Sequence, residues 1–150
     1  MSRTRAAAEL VAERLTGVAA QHVIDVVDLG PGLLGWGDPK VVEAKDIVKS
    51  ADLLVVASPT FKATYTGLLK LFLDQFNAGE LGQLTTFPLM LGGSYSHALA
   101  PELTLRPVLV EIGASCPAPS LYLLDSEYES SPDLEKWLEV ARRFVPAVSS

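Results

Sequence analysis

Two apolar runs constrain this chain more than any other feature: DLLVVA at residues 52–57, stopping at Ser58-Pro59, and TFPLML at 86–91, stopping at Gly92-Gly93. A strand with one wet face alternates apolar and polar residues, whereas an unbroken run suits a parallel strand covered on both faces. Helical periodicity returns around both runs. Residues 5–15 place Ala8, Val11, Ala12 and Leu15 on one face and meet Gly17 as a stop. Residues 40–49 resume the helical pattern behind Asp38 as N-cap and Pro39 in the first turn. Residues 67–76 form a strongly apolar helix, 98–112 a longer one kinked at Pro107, and 133–144 an amphipathic terminal one. Residues 23–29, β-branched and closed by Gly30-Pro31-Gly32, read as a further strand, and residues 120–124 as the last. The alternation predicts an α/β fold of three layers, a doubly wound parallel sheet between helices, because crossovers between parallel strands are helical and right-handed.

At 150 residues, 49% hydrophobic and 20% charged, the chain has the bulk for one compact domain spanning residues 1–150. Its net charge of −6 opposes a nucleic-acid partner, which needs a basic face. No apolar stretch reaches the roughly 20 residues that span a bilayer, and no signal core follows Arg3 and Arg5, so the expectation is a cytoplasmic protein. The single cysteine, Cys116, reads as a small buried hydrophobe. Asp25 and Asp28 suit a strand's solvent face better than a metal pair, and no metal is expected. Trp36 and Trp137 read as packing groups or loop anchors.

Ligands of such sheets sit beyond the carboxyl ends of the strands. The loop SPTFKATYTG at 58–67 carries a stiffening Pro59, the hydroxyls of Thr60 and Thr64, the charge of Lys62 and the rings of Phe61 and Tyr65. Backbone amides between a strand end and a helix start favour electron-rich atoms, which fits the edge of a planar heteroaromatic such as a flavin. The loop GGSYSH at 92–97 pairs glycines, which let a flat ligand approach the backbone, with the polar and stacking groups of Ser94, Tyr95 and His97.

Residues 58–74, SPTFKATYTGLLKLFLD, closely resemble the SP-x-Y-K-x-x-x-x-G-x-LK-x-x-LD signature of the NADPH-dependent FMN reductase family. Residues 92–107 resemble the GG-x-x-x-H-x-LA…L-x-P segment of its alkanesulfonate-linked branch. The resemblance implies a flavodoxin-like fold, non-covalent FMN, and NADPH or NADH as reductant. It also implies a homodimer or homotetramer in which a neighbour helps cover the flavin. The implied activity is hydride transfer through FMN to free flavin or a quinone-like acceptor; azo- or quinone-reductase activity, or a non-enzymatic flavin carrier, are the alternatives. Carried over by position, Pro59, Thr60, Phe61 and Lys62 match one ring-contacting stretch, with phenylalanine where tyrosine is usual. Gly92, Gly93 and Ser94 match the second, and His97 the histidine opening the next helix.

Two departures stand out. Leu103 occupies a position where the sulfonate branch carries a tyrosine in a helical insertion, which weakens the expectation of a flavin-dependent monooxygenase as recipient of reduced FMN. Ser2, Arg3 and Thr4 look like the tail of the family's phosphate-holding loop, while the first strand and the front of that loop are missing from these residues. Ser2 and Thr4 are then the phosphate candidates, with Arg3 as charge partner.

Overall fold

A computed structural model describes residues 2–147. Among them, β1 (Leu53–Pro59), β2 (Thr85–Gly92) and β3 (Leu121–Leu124) form one parallel sheet in that order. Leu53 lies opposite Thr85 and Pro59 opposite Leu91, and Leu89 to Gly92 run beside Leu121 to Leu124. Successive side chains leave opposite faces of a strand, so the unbroken apolar runs feed two cores. Val56, Met90 and Tyr122 pack with helices α2 (Pro39–Ser50), α3 (Gly67–Leu73) and α4 (Arg106–Glu111). Phe87, Leu89, Leu91, Leu121 and Leu123 pack on the other face with α1 (Arg3–Thr16) and α5 (Pro132–Ala141). This is the three-layer α/β arrangement that the alternation predicts.

The helix ends follow local chemistry. Asp38 accepts from the amides of Lys40 and Val41 ahead of Pro39, and Ser131 does the same for Asp133 and Leu134. Gly17 closes α1 in the left-handed conformation at φ 84°. Helix α1 buries Ala7, Val11 and Leu15, with Ala8 and Ala12 flanking that stripe. Trp137 is a packing group as expected: its indole N–H donates to Pro119 O at 2.6 Å, and its ring meets Phe87 edge-on at 5.6 Å. Cys116 is buried, which pushes its thiol pKa up. Among the described residues no helix is long and apolar enough to cross a membrane.

Three expectations are corrected. Residues 23–29 are not a strand. Asp25 accepts from the Val27 amide and opens a 3-10 segment, Val26–Leu34, broken at Gly30. β-branched content suits a strand only where a neighbour satisfies its amides. This stretch has no strand partner among the described residues and instead seats Leu33 in the core of α2 and α3. Second, the helix expected over 98–112 runs continuously from 100 to 111, and its distortion is a π turn at Pro101–Leu105 rather than a kink at Pro107 itself. Pro107 lacks an N–H and its ring crowds the carbonyl four residues back, so the wider turn ahead of it absorbs the misfit. Third, Trp36 is 77% exposed and anchors nothing in the core.

At the amino end of the sheet, residues 79–83 run against 111–113 through Gly79 N–Glu111 O at 3.0 Å, Leu81 N–Ile112 O at 2.8 Å and Gln83 N–Gly113 O at 2.7 Å. Within that turn the Asn77 amide donates to Glu80, and Lys45 and Lys49 approach it at 3.3 and 3.5 Å. These partners, the Asn77 amide first, hold the Glu80 pKa below its ordinary value of 4.5. A depressed carboxylate contributes stability that is present above the unfolded pKa and lost as pH falls through the folded one. Glu80→Gln is therefore expected to remove about 1–2 kcal/mol at pH 7. Denaturant melts should show the gap to wild type closing below pH 4.5.

Candidate functional site

The three strand exits are sewn together by backbone hydrogen bonds. Thr60 N, just past β1, donates to Leu91 O of β2 at 2.8 Å, and Asp125 N, just past β3, donates to Gly92 O at 3.0 Å. The loops after β1 and β2 therefore sit at fixed heights beside each other.

In the first loop, Phe61 and Thr64 exchange backbone hydrogen bonds of 2.8 and 3.2 Å around a two-residue turn. Lys62 and Ala63 occupy that turn at φ 52° and 69°, the left-handed pair of a tight hairpin turn. The buried Ser58 hydroxyl accepts from Thr66 N at 3.0 Å and pins the base of the loop, while Thr66 caps α3 through Leu69 N. Phe61 is left 60% exposed, and Lys62 is exposed beside it. Tyr65 is half-buried against the core and is a packing residue. A left-handed alanine costs about 1–2 kcal/mol that glycine avoids, and glycine's extra chain entropy offsets part of this. Ala63→Gly is expected to stabilise the fold by about 0.5–1 kcal/mol in a denaturant melt. A loss instead would show that the Ala63 methyl makes a needed contact.

In the second loop Gly92 is buried while Gly93, Ser94, Tyr95 and His97 are exposed. Ser94 accepts from Ser96 N and opens the 3-10 turn that His97 ends. The Tyr122 hydroxyl donates to Ser94 O from below, and the Tyr95 hydroxyl donates to Asp133 at 2.9 Å. That carboxylate raises the Tyr95 pKa. Burial raises the Tyr122 pKa, and the neighbouring Thr60 hydroxyl pulls it back. A cleft of about 330 Å³ separates Ala63 of the first loop from the wall formed by Tyr95, His97, Leu99 and Leu103.

Helix α1 brings in the third segment. Arg3 lies 3.6 Å from Asp125, which places the start of α1 beside the Gly92 loop. The Ser2 hydroxyl accepts from Arg5 N at 3.1 Å. The amides of Arg3 and Thr4, in the first turn, have no intrahelical acceptor and lie at the positive end of the helix dipole. All the sequence-predicted segments, Ser2–Thr4, Pro59–Lys62 and Gly92–His97, thus reach one end of the sheet. FMN needs an anion site, a slot that admits a flat ring, and polar groups at the ring's edge. The groups present there that fit such needs are the amides at the α1 start, the open space beside Gly93, and the buried Thr60 hydroxyl, which lacks an aligned hydrogen-bond partner among the described residues. Sequence reasoning passed over Tyr122 and Asp133; the signal for the first was a lone phenol inside the apolar run at 120–124.

A parallel sheet between two helical layers, with ligand-type loops gathered at its carboxyl end, defines a flavodoxin-like α/β protein. Within that class the chain belongs to the NADPH-dependent FMN reductase family, whose model matches residues 1–129. A solved apo structure of an NADH:FMN oxidoreductase superimposes with a TM-score of 0.81 at 33% identity, covering 99% of this chain and 84% of that one. The FMN reductase (NADPH) of Escherichia coli K12 is 28% identical over 151 residues, covering 93% of this chain and 79% of the relative. The FMN reductase (NADPH) of Pseudomonas putida KT2440 is 34% identical over 92 residues, which is 61% of this chain and 47% of the relative. The alignment with this last relative spans about half of its length.

Proposed function

We propose that residues 1–150 act as one FMN-binding domain that passes electrons from NADPH or NADH to free flavin or a quinone-like acceptor. The observation that carries this reading is the convergence of three segments, separated by about 30–60 residues in the chain, on one end of the sheet in a member of this family. Ser2, Arg3 and Thr4 would hold the phosphate, with the phosphate competing against Asp125 for Arg3. Pro59, Thr60, Phe61 and Lys62 would meet one edge of the ring, with the Lys62 charge near its electron-rich side. Gly92, Gly93, Ser94 and His97 would meet the other. Held by these residues, FMN would supply two-electron redox chemistry between the nicotinamide and the acceptor. The chain's own contribution would be to orient the ring between the two loops and limit water at its edge.

Exposed Tyr95, Leu99 and Leu103 line the cleft, and exposed Phe61 stands on the neighbouring loop, an apolar rim that a second copy of the chain would cover in a homodimer or homotetramer. A flavin-dependent monooxygenase is the partner class this reading admits as recipient of reduced FMN. The cytoplasm is the compartment we assign, in keeping with a lone, buried, unpaired cysteine. The test is the visible spectrum of protein mixed with FMN and desalted, followed by anaerobic NADPH or NADH. Retained flavin bands that bleach on addition support the reading. A colourless protein overturns it.

A further inference from the structure

We propose that Tyr122 is the positioning residue of the second ligand loop, its ring filling the space left by the missing side chain of Gly92 and its hydroxyl holding Ser94 O. Residues 90 and 92 of β2 and 122 of β3 share one face of the sheet, with Met90 directly opposite Tyr122. A Cβ on Gly92 would collide with the Tyr122 hydroxyl, so the phenol by itself requires glycine there. Tyr122 is only 7% exposed, and its donation to Ser94 O is the contact that reaches up from the sheet into the second loop. The Thr60 hydroxyl of the first loop lies beside the same phenol and shifts its acidity. Tyr95, tilted over Tyr122 at 6.5 Å, ties the far side of the loop to α5 through Asp133. One buried side chain therefore supports the Gly92–Ser94 segment from below, beyond the Thr60–Leu91 and Asp125–Gly92 backbone hydrogen bonds that already fix the strand exits.

This inference rests on the flavin reading for its ligand, but its first test needs no ligand. Tyr122→Phe keeps the ring and removes the hydrogen bond. In the ligand-free protein, amide exchange at residues 93–97 should accelerate about tenfold, while exchange in α1 and α5 stays at the wild-type rate. With FMN, the dissociation constant should rise about tenfold and the visible band of the bound flavin should shift. Unchanged exchange at 93–97 overturns the proposal. So does a uniform acceleration across the sheet with a lower melting temperature, which would make Tyr122 a packing residue only. If the wild-type protein takes up no FMN, the flavin reading fails, and the exchange measurement still decides the role of Tyr122.

Discussion

Gly113→Ala is expected to lower the unfolding free energy by about 3–5 kcal/mol. Gly113 follows α4 at φ 105°, a conformation that strains any residue with a side chain. Its Cβ would sit 2.7 Å from the carbonyl carbon and oxygen of Gly79. Both are backbone atoms held in the ladder formed by Gly79, Leu81 and Gln83 against Glu111, Ile112 and Gly113. Neither side can yield without breaking those hydrogen bonds, so strain and lost pairing add. Denaturant melts should show a lower midpoint at an unchanged slope. Because the ladder lies at the amino end of the sheet, the folded fraction should keep the FMN affinity of the wild type. A wild-type midpoint would refute the close approach of the two glycines.

Gly92→Ala should do the opposite, harming the site more than the fold. The new methyl meets the Tyr122 hydroxyl, which cannot swing away without releasing Ser94 O. The expected result is an FMN dissociation constant raised at least tenfold with a stability loss of about 1–3 kcal/mol. Adding Tyr122→Phe removes the colliding oxygen but leaves the ring carbon Cζ 2.8 Å from the methyl, so the double variant should regain only part of the loss. Fluorescence titration of FMN against the two single variants and the double variant measures this coupling. Wild-type affinity in Gly92→Ala would show that the close fit of Gly92 on Tyr122 is not needed for binding.

Much of this arrangement was legible in the residues. The strands at 53–59, 85–92 and 121–124 announce themselves because a parallel strand is covered on both faces and so has no polar alternation. The helix start at Asp38 is written in a side chain that caps amides close by in sequence, whereas the Ser131 cap, two residues ahead of the expected start at 133, went unread. The loops at 58–67 and 92–97 stand out because proline and glycine interrupt apolar runs where ligands bind in such sheets. All of these are short-range properties, carried by a residue and its near neighbours.

Other features depended on distant parts of the chain. Residues 23–29 have the composition of a strand, yet a strand also needs a neighbour, and that is settled by the sheet as a whole. The π turn before Pro107 reflects how a misfit is shared between helix and core, which periodicity does not encode. The meeting of Arg3 with Asp125, and of Tyr122 with Ser94, joins residues far apart in sequence. Sequence alone determined the layers, the strand runs and the identity of the two loops, because burial pattern and turn chemistry act locally. Only the tertiary structure decided how the loops are held against one another, because the bonds that hold them, Thr60 N to Leu91 O, Asp125 N to Gly92 O and the Tyr122 hydroxyl to Ser94 O, join residues far apart in the chain.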